Sequence, residues 1–153
     1  MRPKSQVIQP DGPRPNGKRR PLNRASTPQY LFVYGTLKRG GKSHKQLRKE
    51  NGVRFKSSAR IRADLYKLHG EDYPGAVLTS TPNRFVKGDL FVLQYPQRTL
   101  RELDEFEGVD EGLFRRELVD VWVQGRRVKA WAYLYARSLA AADLIPTGIY
   151  SSH

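Results

Sequence analysis

The chain predicts an α+β fold: a curled, mostly antiparallel sheet or small β-barrel carrying a few short helices. Three observations predict it. Short apolar segments with period-two alternation recur along the chain, turn residues punctuate them at close spacing, and the helical stretches are too few for a series of βαβ crossovers. At 153 residues there is room for one domain with a core of its own and little room for two. That domain is placed at 29–150.

The residues before it read differently. Arg2, Lys4, Arg14, Lys18, Arg19, Arg20 and Arg24 face Asp11 alone and supply six of the thirteen net positive charges, and this stretch also holds six of the ten prolines. A segment with so few large apolar side chains cannot bury enough surface to offset its ordering entropy, so 1–28 is expected to be a disordered, basic, Pro-rich tail. Its charge gives nucleic acid or an acidic partner as a second class of reading, in which the domain is a non-catalytic binding module.

The elements follow in order. Tyr30 to Tyr34 is a β-branched and aromatic run, read as a buried strand that breaks at Gly35. Ser43 opens a short surface helix that ends near Asn51-Gly52. Phe55–Leu68, Gly75–Thr79 and Phe85–Leu93 read as strands, the first two separated by the turn at 70–74. After Pro96 the period becomes helical: Thr99 and Glu102 form a capping-box pattern, Leu100, Leu103 and Phe106 follow, and Gly108 is a stop. Two alternating segments, Phe114–Val123 and Val128–Tyr135, flank Gln124-Gly125-Arg126-Arg127 and predict a hairpin. Val119, Val121 and Val123 then share one face, as do Trp131, Tyr133 and Tyr135.

The acidic helix carries the sharpest chemical signal. At about 100° per residue, Glu107 falls between Leu100 and Leu103 on the apolar face, whereas Glu102, Asp104 and Glu105 fall on its flanks or in solvent. Desolvation of an inward carboxylate raises its pKa by roughly 1–3 units, toward the range of a general acid/base at neutrality. The same position admits a second reading, an ion pair with one of the many arginines or a frayed last turn that exposes it. The other signal is Tyr34-Gly35-Thr36-Leu37, a strand entering a turn whose main-chain N–H groups can face an anion. Gly40-Gly41-Lys42-Ser43 resembles the end of a nucleotide-binding loop, but that motif needs glycine where Thr36 stands.

Tyr34-Gly35-Thr36-Leu37, followed by Leu103-Asp104-Glu105-Phe106-Glu107-Gly108, resembles the γ-glutamylcyclotransferase, or AIG2-like, family. The likeness runs from about Tyr30 to Tyr135 and includes Tyr73-Pro74-Gly75-Ala76 and Arg116 with Val119 and Val121. It implies a curled-sheet domain with one cavity, a small-molecule γ-glutamyl substrate held by the amides of Tyr34, Gly35, Thr36 and Leu37, and Glu107 as the catalytic acid/base. The implied reaction closes a lactam by attack of the substrate's α-amine on its γ-carbonyl, releasing 5-oxoproline and an amine. It uses no cofactor, metal or protein nucleophile. The chain departs from the pattern at Phe114, where many relatives carry tyrosine. Tyr73 and Tyr135 are read as core aromatics rather than site residues.

Composition sets the remaining bounds. With no cysteine there are no disulfides or thiol chemistry, and a reducing, cytoplasmic compartment fits. His44, His69 and His153 lack ligand spacing, so no metal site is expected. No apolar run approaches the roughly 20 residues that span a bilayer, and the N-terminus lacks the apolar core of a secretory signal, so a soluble protein is expected.

Overall fold

The computed structural model describes residues 29–151. The basic tail expected at 1–28 lies outside the described residues. Strands β1 (Gln29–Val33), β2 (Val53–Leu68), β3 (Pro74–Leu78), β4 (Phe85–Leu93), β5 (Phe114–Val123), β6 (Arg126–Tyr135) and β7 (Ala142–Leu144) are joined by helices α1 (His44–Arg48) and α2 (Pro96–Phe106). Five of the strands close on themselves. The order β2-β4-β1-β6-β5 returns to β2 through Arg60 opposite Trp122, and every neighbour is antiparallel except β1 with β6. The expected curled sheet is therefore a small barrel, with β3 and β7 added along the second half of β2.

Length explains how β2 reaches so many partners. Its 16 residues pair with β4 from Val53 onward and with β3 and β7 from Ala63 onward, and a register shift between Phe55 and Ser57 bends it around the barrel. Alternation then sorts the side chains. Phe32, Ile61, Leu65, Val86, Leu90, Val121 and Leu134 fill the barrel interior, each with at most 1% exposure. β1 is buried on both faces because Leu31 and Val33 point outward into a second cluster with Leu93, Leu100, Leu103 and Tyr133, under α2. A continuous apolar run, read from sequence as a buried strand, is what that position requires.

The hairpin forms with a tighter turn than expected. Only Gln124 and Gly125 lie between the strands, with φ of 49° and 81°, the left-handed pair that matches the twist of a two-residue hairpin, so Arg126 and Arg127 belong to β6. Val119, Val121 and Val123 share the inward face as predicted. A larger correction concerns α2. It begins at Pro96, whose missing N–H costs nothing in the first turn, and its N-cap residue Tyr95 makes no side-chain cap. Thr99 is consequently inside the helix, its N–H donating to Tyr95 O (3.0 Å), and its buried hydroxyl has no partner among the described residues. The capping box of Thr99 and Glu102 does not form, because proline sets the start three residues earlier. β7 is not among the expected strands; the three residues Ala142, Asp143 and Leu144 are too short a run to show alternation. No described helix is long and apolar enough to cross a membrane.

Candidate active site

Where β1 ends, the chain turns through residues 34–41, and the turn is held from beneath by one buried carboxylate. Asp89, opposite Val33 on β4, accepts the main-chain N–H of Arg39 (2.8 Å) and both Nε (3.2 Å) and Nη2 (3.3 Å) of its guanidinium. The same guanidinium stacks 3.6 Å from the Phe55 ring centroid. Thr36 O accepts from Ser43 N–H (2.9 Å) and Gly35 O from Lys38 N–H (3.3 Å), so the carbonyls of this turn are satisfied from within. The N–H groups of Gly35, Thr36 and Leu37 donate to no main-chain carbonyl among the described residues. Successive free N–H donors on a rigid turn are the ingredients of an anion-binding concavity.

Tyr34 has a different part in the same wall. Its hydroxyl donates to Tyr133 O (2.7 Å) and accepts from Ala76 N–H (3.1 Å), tying β1 to β6 and β3. Burial, and then the nearby charge of Glu107, push its pKa far above the ordinary tyrosine range, so it stays a neutral pin.

Glu107 closes the site from the other side. The last turn of α2 ends in a paired-bond cap: Val109 N–H donates to Asp104 O (3.0 Å) and Gly108 N–H to Glu105 O (3.2 Å), with Gly108 at φ 66°. That geometry demands a residue free to adopt left-handed φ, and it fixes Glu107, whose own N–H donates to Leu103 O (2.8 Å). Leu100 and Leu103 anchor the helix face, at 5% and 0% exposure. Asp104 anchors its flank, accepting from Arg116 Nε (2.7 Å) and Nη2 (3.1 Å) and from Tyr133 Oη (2.7 Å), while the guanidinium lies 4.7 Å from the Trp131 ring centroid. The helix thus cannot roll without breaking a bidentate pair.

This arrangement decides between the two readings of Glu107. Arg116, the nearby arginine from the adjoining strand, pairs with Asp104, and the ion pairs among the described residues leave Glu107 without a cation. Burial with no compensating charge raises its pKa to about 7. Burial, the hydrogen bond to Asp104 and its charge likewise drive Tyr133 far above the usual tyrosine range.

Glu107 and all four residues Tyr34, Gly35, Thr36 and Leu37 line one cleft, of about 360 Å³ counting the space at its mouth. Tyr73, Pro74, Phe114 and Tyr133 complete the lining. Tyr73, read from sequence as a core aromatic, is half-buried at the cleft wall with its ring 6.0 Å from Phe114; Tyr135 packs behind Phe114 (5.6 Å). Tyr133 was legible as one of three aromatics on a strand face, but its partner Asp104 comes from a helix 29 residues away and leaves no mark on local pattern. The Tyr73-Pro74-Gly75-Ala76 segment meets the site because Pro74 walls the cleft and Ala76 N–H holds the Tyr34 hydroxyl. Among the described residues no group of three or more His, Asp or Glu side chains is placed to hold a metal ion. The site sets a carboxyl with a pKa raised to about 7 and the turn at 34–37 on one cleft, among the aromatic rings of Tyr34, Tyr73, Phe114 and Tyr133.

Comparison with known proteins agrees with this architecture. A family model described as γ-glutamyl cyclotransferase, AIG2-like, matches residues 31–152. The γ-L-glutamyl-butirosin B γ-glutamyl cyclotransferase of Niallia circulans is 33% identical over 112 residues, spanning 70% of this chain and 67% of that protein. Among solved structures, a mouse AIG2-like protein superposes with a TM-score of 0.69 at 24% identity, over 81% of this chain and 88% of the other. A γ-glutamyl cyclotransferase superposes at 0.58 with 21% identity, over 78% and 73%. These two structural likenesses speak for the fold, and the family match extends over nearly all of the described chain. The chain belongs to the AIG2-like γ-glutamyl cyclotransferase family.

Proposed function

We propose that the protein is a cofactor-independent γ-glutamyl cyclotransferase. The observation that carries the reading is Glu107, a fixed, uncompensated carboxyl with a pKa near 7 facing the donor-rich turn at 35–37 across one cleft. In the proposed step, the Glu107 carboxylate accepts a proton from the substrate's α-ammonium. The freed amine attacks the γ-carbonyl carbon, and the carbonyl electron pair moves onto oxygen. The N–H groups of Gly35, Thr36 and Leu37 supply donors for that oxyanion or for the substrate's α-carboxylate, two negative centres that an unpaired cluster of amides suits. As the carbonyl re-forms, the bond to the departing nitrogen breaks; Glu107 returns the proton to that nitrogen and then takes the second proton from the ring nitrogen, which passes to the released amine, giving 5-oxoproline and an ammonium. Five-membered ring closure needs no second bound reactant, so proximity supplies much of the rate.

A carboxyl with a pKa near 7 serves both halves of this cycle, since it is neither locked ionised nor locked neutral at physiological pH. Phe114, at 5% exposure, supports a dry wall in place of a hydroxyl. The test is mass-spectrometric detection of 5-oxoproline from γ-glutamyl amino acids, γ-glutamyl-ε-lysine, glutathione and a γ-glutamylated aminoglycoside of the kind for which the Niallia circulans relative is named. Release by the wild type and its loss in Glu107→Gln are expected. Equal release by both proteins would overturn the assignment of Glu107, and silence across the panel would overturn the activity on these substrate classes.

A further inference from the structure

On the barrel wall away from α2, four strands bring outward side chains into a single row. Lys87 on β4 stands opposite Arg60 on β2, Arg60 opposite Trp122 on β5, and Trp122 opposite Arg127 on β6. The direction of the row is fixed by its neighbours: Ile61, Val86 and Val121 are each 0% exposed and point inward, so the alternate residues point out. Two residues along β2, Arg62 stands opposite Phe85. The Phe85 and Trp122 rings meet edge to face at 6.0 Å, with the Arg60 guanidinium 4.1 Å from the Phe85 centroid and that of Arg62 5.7 Å from the Trp122 ring.

Ring contacts help to hold this row in place, but they leave its positive charge uncompensated. Arg60 and Lys87 are like charges directly opposite each other, a pairing that destabilises a sheet. The carboxylates nearest to them are already taken: Asp64 pairs with Arg84 (2.7 Å), Asp89 with Arg39 (3.2 Å) and Asp120 with Lys129 (2.8 Å). Arg60, Arg62, Lys87 and Arg127 are all exposed and enter none of the ion pairs among the described residues. The row lines a groove of about 1180 Å³ counting its open space, to which Lys38, Arg39, Gln124, Gly125 and the Arg39-paired Asp89 also contribute. A separate acidic cluster lies elsewhere. Glu102, Asp104, Glu105, Asp110 and Glu111 lie on α2 and the turn after it, and α2 covers β1 and β6, across the barrel from β2.

We propose that this face binds single-stranded nucleic acid, independently of the cleft around Glu107. Cations one strand apart, about 4.8 Å, suit the repeated phosphates of a polyanion. Guanidinium planes laid against half-buried rings offer flat π surfaces on which unpaired bases stack. A duplex keeps its bases stacked internally and gains little from the rings. A bilayer favours protruding aromatic side chains, whereas Phe85 and Trp122 are half-buried beside a groove.

The test is fluorescence anisotropy of the full-length chain with labelled oligo-uridine and oligo-thymidine of about 12 nucleotides, within the usual site sizes for single strands, titrated across salt. The triple variant Arg60→Gln/Arg62→Gln/Lys87→Gln is expected to weaken binding at least ~10-fold at low salt and to lower the slope of log K against log salt by about 2. Trp122→Ala is expected to weaken it ~5-fold or more with a smaller change in slope. Lys87→Gln alone touches no ring and is expected to weaken binding several-fold while leaving the unfolding midpoint equal or slightly higher, as relief of the like-charge pair requires, which separates charge from folding. No binding by the wild type at low salt would overturn the proposal. So would affinity unchanged in the triple variant, which would assign binding to other basic residues such as those of 1–28. Binding of phosphatidylserine vesicles but not oligonucleotides through the same three side chains would also overturn it, in favour of a membrane.

Discussion

Two carboxylates approach the turn after β1 from opposite sides, and they are treated in opposite ways. Asp89, 6% exposed, lies beneath the turn with a main-chain N–H and two guanidinium donors on its oxygens. Glu107 faces residues 34–37 of the same turn with no cation, and its pKa rises to about 7. Asp89 is buried and Glu107 half-buried, so depth alone does not separate them; pairing does. A paired carboxylate fixes chain geometry, whereas an uncompensated one is left able to gain and lose a proton. Asp104, three residues before Glu107, is like Asp89 a paired carboxylate, accepting from Arg116 and Tyr133.

The largest expected effect breaks the unpaired member. Glu107→Gln keeps the shape and removes the proton carrier, and 5-oxoproline release is expected to fall ~10³-fold. In the wild type, the rate is expected to rise with pH through about 7 as the base form appears, a limb absent from any residual activity of the variant. A loss below ~10-fold would show that the uncompensated carboxyl is not the proton carrier. Removing the paired member should act differently. Asp89→Ala strips the support of Arg39 and is expected to lower stability by about 2 kcal/mol in urea unfolding, and to raise KM more than it lowers kcat as the turn loosens. A kcat loss with KM unchanged would count against its role as a support.

The third prediction separates the two by pH. With its folded pKa raised above the ordinary value of 4.5, Glu107 binds more protons in the folded chain than in the unfolded one between pH 4.5 and about 7. Its contribution to stability therefore declines as pH rises across that window. Glu107→Gln is expected to be more stable than wild type at pH 8, by ~2 kcal/mol, and nearly equal to it at pH 4. A difference independent of pH would contradict an uncompensated acid. The smallest effect concerns the support of the helix flank: Arg116→Gln should cost about 1 kcal/mol in thermal or urea unfolding and lower kcat a few-fold, with partial recovery in Arg116→Lys. Full activity in Arg116→Gln would show that Asp104 and Tyr133 hold α2 without it.

The two halves of the cleft were unequally legible. The inward aim of Glu107 followed from helical period, because Leu100 and Leu103 set the buried face and Gly108 the stop, and local pattern is enough to fix both. The strand-to-turn reading of 34–37 followed from an apolar run ending at glycine. The start of α2 was misplaced because Pro96 competes with a capping-box pattern for the first turn, and the proline, with φ already set, takes it.

Sequence alone determined the fold class, the barrel-forming alternation on β5 and β6, the family resemblance, and five residues that meet in the cleft. Only the tertiary structure decided that Arg116 goes to Asp104, that the Tyr34 hydroxyl is spent on Tyr133 and Ala76, that Tyr73 and Tyr133 join the cleft, and that Lys87, Arg60, Trp122 and Arg127 fall in one row. The physical reason is range. Helical and strand periods are set by neighbours a few residues apart, whereas ion pairing and strand register depend on which distant segments barrel closure brings within a few ångströms.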